Sequence, residues 1–152
     1  MTPQERAERA AASMWAGDRA SQDAGMTLVE IGPGTATITM PVREDMANGH
    51  GIAHGGYVFT LADSAFAFAC NSYNTSVVAQ HNSITYLTPG RIGETLTATA
   101  HEVALAGRSG IYDVLITGED GRPIAQFRGH SRQITGQNFD ESEHEPAEDI
   151  AG

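Results

Sequence analysis

The chain has 152 residues, one cysteine, nine arginines, no lysine and a formal net charge of −10. That length fits one domain able to bury about two-thirds of its unfolded surface. A single cysteine excludes an intrachain disulfide framework, and the acidity argues against general nucleic-acid binding, which needs a basic footprint.

The first 25 residues contain acids, arginines and alanines but no apolar segment with a cleavage pattern, and no run approaches the ~20 apolar residues of a membrane span. A cytoplasmic protein without membrane or nucleic-acid partners is the expectation. Thr2, Pro3 and Glu5 make a helix start, with Thr as N-cap, Pro at the first helical position and Glu closing a capping box. Ala7, Ala10, Ala11, Met14 and Trp15 then share one face of a helical arm over 1–24, whose mixed charges suit packing on the body rather than a membrane surface. MTLVEI and TATITMPV around Gly32-Pro33-Gly34 read as a hairpin, and residues 43–46 as a loop.

The stretch NGHGIAHGGYVFTLADSAFAFACNSY, residues 48–73, is the centre of the chain. A glycine and histidine loop runs into Gly55-Gly56 and then into about five turns of helix that is apolar nearly all round, as a buried helix is. After it, residues 76–87, 93–105, 111–117 and 124–134 read as four strands in meander order, with Thr88-Pro89-Gly90, Gly107 to Gly110 and GEDGRP as the breaks. Short turns favour antiparallel pairing, so the class is α+β: one antiparallel sheet around a single buried helix. Residues 1–136 form the single domain, and 137–152, with six acids in the last thirteen residues, an acidic disordered tail; removing those six leaves −4 of the −10.

Asp63 is an acid in the middle of what should be core, where an unpaired charge is expensive and aspartate is a poor helix former. A bond to a backbone amide or an arginine would explain it structurally; catalysis, as a nucleophile or as the base that activates a water, explains it better. The helix start at Gly55-Gly56 presents free amides and the positive end of the dipole, a place for an oxyanion. Eight residues separate Gly55 from Asp63, about 12 Å along one helix axis, too far for chemistry with a ~3 Å reach. The two can cooperate only across a subunit boundary, so spacing predicts a dimer with two composite sites.

The pattern N-G-x-G-x-x-H-G-G, the aspartate of LADSAFAFACNS nine residues after His54, ITYLTPGRIGETLTATA and the closing GRSGIYDVLITGEDGRPIAQFRGHSRQITG together resemble the hotdog-fold acyl-CoA thioesterases, most closely the phenylacetic acid degradation type, over residues 25–135. The resemblance implies a long helix wrapped by the sheet, a dimer joined sheet edge to sheet edge, commonly a tetramer of two dimers, and hydrolysis of coenzyme A thioesters with hydroxylated phenylacetyl groups as the usual acyl part. It implies Asp63 as the catalytic carboxylate of one subunit and the Gly55 amide of the other as oxyanion donor. Asn48 would help place the water or thioester, and His54 precedes the glycine pair. Some relatives carry a serine on the strand after the helix; Ala79 stands there, with Ser83 expected nearby on the same face.

Arg91 in the TPGRIG turn and Arg108-Ser109-Gly110 before the third of those strands are the candidates for the ligand's phosphates, and Gly56, beside Gly55 at the helix start, is a further substrate-binding candidate. Tyr57 and Phe66 either line an aryl pocket or pack in the core or dimer seam. Cys70 reads as a core thiol, and His81, His101 and His130 as solvated strand side chains. His50 and His54 lie on a glycine loop without a close third ligand, so neither a metal nor another cofactor is expected.

Overall fold

The computed structural model describes residues 1–143. Helix α1 (Pro3–Gly17) starts as the sequence predicts, the Thr2 hydroxyl accepting from the Glu5 amide at 3.1 Å while the Glu5 carboxylate accepts from the Thr2 amide at 2.9 Å. The arm is two helices rather than one. Asp18 breaks it and caps α2 (Arg19–Asp23), accepting from the Ser21 amide at 3.0 Å. Ala7, Ala10 and Ala11 are buried and Met14 and Trp15 pack against the core, the face the spacing predicted.

Strands β1 (Thr27–Gly32) and β2 (Thr35–Pro41) form the expected hairpin. A short 3-10 turn over Glu44–Met46 leads to the glycine loop. Helix α3 (Gly55–Cys70) touches all six strands, which places it inside the curve of the sheet. The remaining strands are β3 (Val77–Tyr86), β4 (Thr95–Ala106), β5 (Ser109–Thr117) and β6 (Pro123–Gln133), and the sheet order is β1-β2-β4-β5-β6-β3, antiparallel throughout.

That order corrects the meander. Only β4, β5 and β6 follow one another; β3 lies at the far edge, beside β6. The segment 87–94 is not a turn but a crossing over the end of the sheet. Eight residues reach at most about 26 Å, ample for the ~14 Å that three strand spacings demand. A hydrogen bond from the Ala53 amide to the Gly90 carbonyl (2.9 Å) and an Ile52–Arg91 bridge hold it against the loop that precedes α3, and the Leu87 amide ties its start to the Ile124 carbonyl of β6 (2.8 Å). The buried Arg122–Glu94 ion pair pins its far end.

The C-terminal stretch expected to be disordered begins docked. The Asn74 side chain, buried and held at φ 64°, accepts from the amides of Asn138 and Phe139 at 3.0 Å each; Arg6 pairs with Glu141 at 3.0 Å, and Ser13 donates to the Asn138 carbonyl at 2.6 Å. The rest of that stretch lies outside the described residues. No helix among the described residues is long and apolar enough to cross a membrane.

Candidate active site

The site is built around the two ends of one stretch of α3. At its entry His54 is the N-cap. Its Nδ1 accepts from the Gly56 amide at 2.8 Å, and its carbonyl accepts from the Tyr57 and Val58 amides at 3.0 and 3.3 Å. The Gly56 amide is therefore engaged by the cap. The Gly55 amide has no acceptor among the described residues. The two bonds onto the His54 carbonyl polarise the peptide that carries that N–H, since hydrogen bonds in series strengthen one another. The free donor for an incoming oxygen is Gly55.

The loop before it is stiffened by Asn48, whose Oδ1 accepts from the His50 and Ile52 amides at 2.9 and 3.3 Å, an Asx turn that leaves its NH₂ for other acceptors. Tyr86, at the end of β3, donates from its hydroxyl to the Gly55 carbonyl at 2.8 Å, and a Cβ at Gly55 would stand 3.1 Å from its ring. Tyr86 carried no signal in the sequence, because only the return of β3 past the helix start brings it there. These groups line a cavity of about 330 Å³ bounded by Asn48, Ile52, Gly55, Val58, Tyr86 and Pro89; Asp63 is not part of its wall.

Asp63 stands two turns on, half-buried. Burial pushes its carboxyl above the ordinary aspartate range; the amide of Asn82 opposes that, and the charge of Asp18 adds to it. Asn82 Nδ2 donates to Asp63 Oδ1 at 3.3 Å. Its neighbour Ser64 shares a hydrogen bond with Ser21 (2.7 Å), which in turn donates to Asp18 at 2.7 Å, so the break between α1 and α2 is fastened beside the acid.

Asn82 was missed, and a bulge explains why. In a regular strand Ala79 and Ser83 share a face. Here the register with β6 slips at Gln80, so Ala79 opposes the buried Ser131 and Asn82 opposes Gly129, while Ser83 opposes the exposed Arg128 on the outer face. One extra residue moves Ser83 away from the helix and turns Asn82 toward it. Gly129 is glycine because a Cβ there would lie 2.6 Å from the Phe66 ring.

Phe66 is core. It is 1% exposed, with Tyr112 and Phe127 rings at 5.8 Å, and lines none of the entry cavity. Tyr57 is half-buried and packs on that core. Arg91 is exposed at the crossing, 3.9 Å from Asp120. Arg108 sits at the tight β4–β5 turn and lines a cavity with Cys70, Tyr73 and Ser109 at the C-terminal end of α3, the opposite end from Gly55. Gly110 is not in a loop but within β5, where a Cβ would meet Ser131 Oγ at 2.7 Å. Cys70 is buried, and burial pushes its thiol up to about 12.

Residues 50–125, half of the chain, match the Thioesterase superfamily, and the protein belongs to that family. Its six-stranded antiparallel sheet around a long helix is the hotdog fold, and the family is one of thioester hydrolases. Among individual proteins, the chain is 40% identical over 124 residues to the acyl-coenzyme A thioesterase PaaI of Escherichia coli, covering 82% of this chain and 89% of that one. The solved E. coli PaaI protein from the phenylacetic acid degradation operon superposes with a TM-score of 0.88 at 38% identity, over 90% of this chain and 99% of that one. The human acyl-coenzyme A thioesterase 13 is 33% identical over 72% of this chain and 79% of its own length. A hypothetical thioesterase protein from Streptococcus pneumoniae solved with coenzyme A matches at a TM-score of 0.71 and 27% identity, over 74% of this chain and 88% of that one.

Proposed function

We propose that this protein hydrolyses acyl-CoA thioesters in the cytoplasm, with hydroxylated phenylacetyl-CoA as the preferred substrate, and does so at sites shared between two subunits. The observation that carries this is the separation of two incomplete half-sites on α3. Gly55 offers a polarised, unengaged amide at a cavity with no acid in its wall, and Asp63, about 12 Å along the axis, is a half-buried carboxyl away from that cavity. Each lacks what the other supplies.

The sheet edges support the pairing. At one edge β1 is covered by α1, the Gln4 side chain donating to the Ile31 carbonyl at 2.8 Å. At the other, β3 presents ten residues, VVAQHNSITY, with no Lys, Arg, Asp, Glu or Pro to block pairing. Such an open edge is a template for another strand. Two copies meeting along β3 bring each Asp63, which lies beneath β3, toward the partner. Two such dimers then make the tetramer. Antiparallel pairing of the two β3 strands also brings Arg91, at the entry end of α3, and Arg108, at its far end, from different subunits to one ligand's phosphates, with Ser109 beside them. No further cofactor is needed.

In the reaction the Gly55 amide of one subunit receives the thioester oxygen as charge develops on it, with Asn48 and the His54 cap holding the loop around it. The Asp63 carboxylate of the other subunit either attacks the carbonyl carbon or takes a proton from the water that does. On the base route, collapse breaks the C–S bond and the Asp63 carboxyl returns the water's proton to the leaving sulfur, giving the coenzyme A thiol and the acid; on the nucleophile route, collapse leaves an acyl-Asp63 anhydride, which water then cleaves to the acid and the free carboxylate, its proton going to the departed thiolate.

The test is thiol release from a panel of aryl-acetyl and medium-chain acyl-CoA thioesters. Turnover that is highest on hydroxylated phenylacetyl-CoA and lost in Asp63→Asn is the expected result. Tight binding without release would make the protein an acyl-CoA sensor instead.

A further inference from the structure

Asn82 is half-buried and holds its amide in an arrangement that makes little sense as a packing element. Its Nδ2 reaches Asp63 Oδ1 at 3.3 Å, while its own Oδ1 is the one side-chain polar atom among the described residues that is fully buried without a partner. Turning the amide over would set its oxygen against the carboxylate and break the one bond it makes. A buried carbonyl oxygen with no donor costs folding free energy, and a leucine of similar size would carry no such cost. A fold that keeps the amide at this position therefore keeps it for the half that is bonded.

The bonded half faces the acid from the side that matters. Asp63 is approached by α2 through the charge of Asp18 and the Ser21–Ser64 bond, by Cys70 about two turns further along the same face of its helix, and by β3 through Asn82. Among these only Asn82 is a donor to the carboxylate; Asp18 repels it and burial disfavours its charge. Its position is also built rather than incidental. The bulge at Gln80 is what turns residue 82 inward, opposite Gly129, the one place on β6 where the absence of a Cβ lets the Phe66 ring and the strand come together.

We infer that Asn82 is a positioning residue for Asp63: by donating to Oδ1 it fixes the carboxylate's orientation and leaves Oδ2 turned to the reacting centre as an ionised base or nucleophile. This rests on the thioesterase reading above. It predicts a loss of function without a loss of stability, the opposite of what a structural asparagine would give.

The variants are Asn82→Leu, which removes the amide at similar volume, and Asn82→Asp, which keeps the shape but replaces the donor with a like charge. Each is measured for kcat and KM on the best substrate, for the pH dependence of kcat, and for Tm, beside wild type and Asp63→Asn. For Asn82→Leu, kcat falls by about 10²-fold, the scale of misplacing a catalytic group by about an ångström, with KM within twofold and Tm at or above wild type. The acidic limb of its kcat profile moves to higher pH, because the bond it lost favours the charged carboxylate. Asn82→Asp shifts that limb further. The proposal is overturned if both variants keep wild-type kcat while Asp63→Asn is dead, which leaves the hydrolase reading standing. It is equally overturned if kcat falls only in step with Tm and the acidic limb stays in place, or if the variants lose activity by dissociating the oligomer. Wild-type turnover in Asp63→Asn would bring down the role of Asp63 and this role together, whereas a wild type that releases no thiol from any thioester of the panel would bring down the hydrolase reading.

Discussion

The entry of α3 and its middle are built on opposite terms. At Gly55 the polar groups around the free amide are satisfied: His54 caps Gly56, Asn48 closes its loop, and Tyr86 holds the Gly55 carbonyl. At Asp63 the carboxyl is desolvated and repelled by Asp18, and its one donor among the described residues leaves an oxygen unpaired behind it. The first region is a finished cradle that waits for a charge; the second is a charge kept at a cost. On the proposed mechanism, stability is spent where the chemistry occurs, as expected when a site is not optimised for folding.

The comparison can be broken most forcefully by separating the two regions between subunits. Asp63→Asn alone lowers kcat by at least about 10³-fold, within the span a base or nucleophile supplies. Gly55→Val does comparable damage, its Cβ standing 3.1 Å from the Tyr86 ring. Unfolded and refolded together, the two dead variants regain about a quarter of wild-type activity, since half of the dimers are mixed and each carries one intact site. A mixture as inactive as its parents places both halves in one chain and ends the shared-site reading.

Next in size is Phe66→Ala. With Phe66 in the core against Tyr112 and Phe127, it costs about 3–5 kcal/mol in a denaturant titration, while KM for aryl and alkyl thioesters shifts alike. A selective loss of aryl affinity would restore the pocket role the sequence left open.

His54→Ala removes the cap and costs about 1 kcal/mol, and it frees the Gly56 amide. The rise in KM then reports how far the cradle relies on that cap.

Smallest is the stability of Asp63→Asn itself. The folded carboxyl titrates above its unfolded value, so the folded state holds its proton longer. Wild-type stability thus falls as pH rises from the unfolded value through the folded one, and is flat above it. Asp63→Asn escapes this loss, so its Tm exceeds that of wild type at neutral pH by up to ~3 °C, less than about 1 kcal/mol for a domain this size. The gain vanishes as pH drops through the acid range. An Asp63→Asn Tm below wild type at pH 7 would mean that the carboxylate stabilises the fold.

Much of this was legible in the residues. The capping box at Thr2, the hairpin around Gly32-Pro33-Gly34 and the apolar helix opened by a glycine pair are local: each depends on a few neighbours and a period, and each formed as read. The oddity of Asp63 was also visible, because a charge amid alanines and phenylalanines needs no coordinates to be noticed. The strand carrying Asn82 was legible too, over 76–87; what escaped was which of its residues face the helix. Its faces are decided by one bulge at Gln80, and VVAQHNSITY alternates too weakly to reveal the slip.

By itself the sequence determined which helix is buried, which acid it exposes to question, and that eight residues of helix hold that acid about 12 Å from the glycine amide. Those follow from local propensity and fixed helical rise. Only the tertiary structure decided that β3 crosses to the edge beside β6, that Asn82 rather than Ser83 faces Asp63, and that Phe66 is enclosed by Tyr112 and Phe127. Strand order and register are set by pairing between distant segments, and no stretch of chain carries its partner's address.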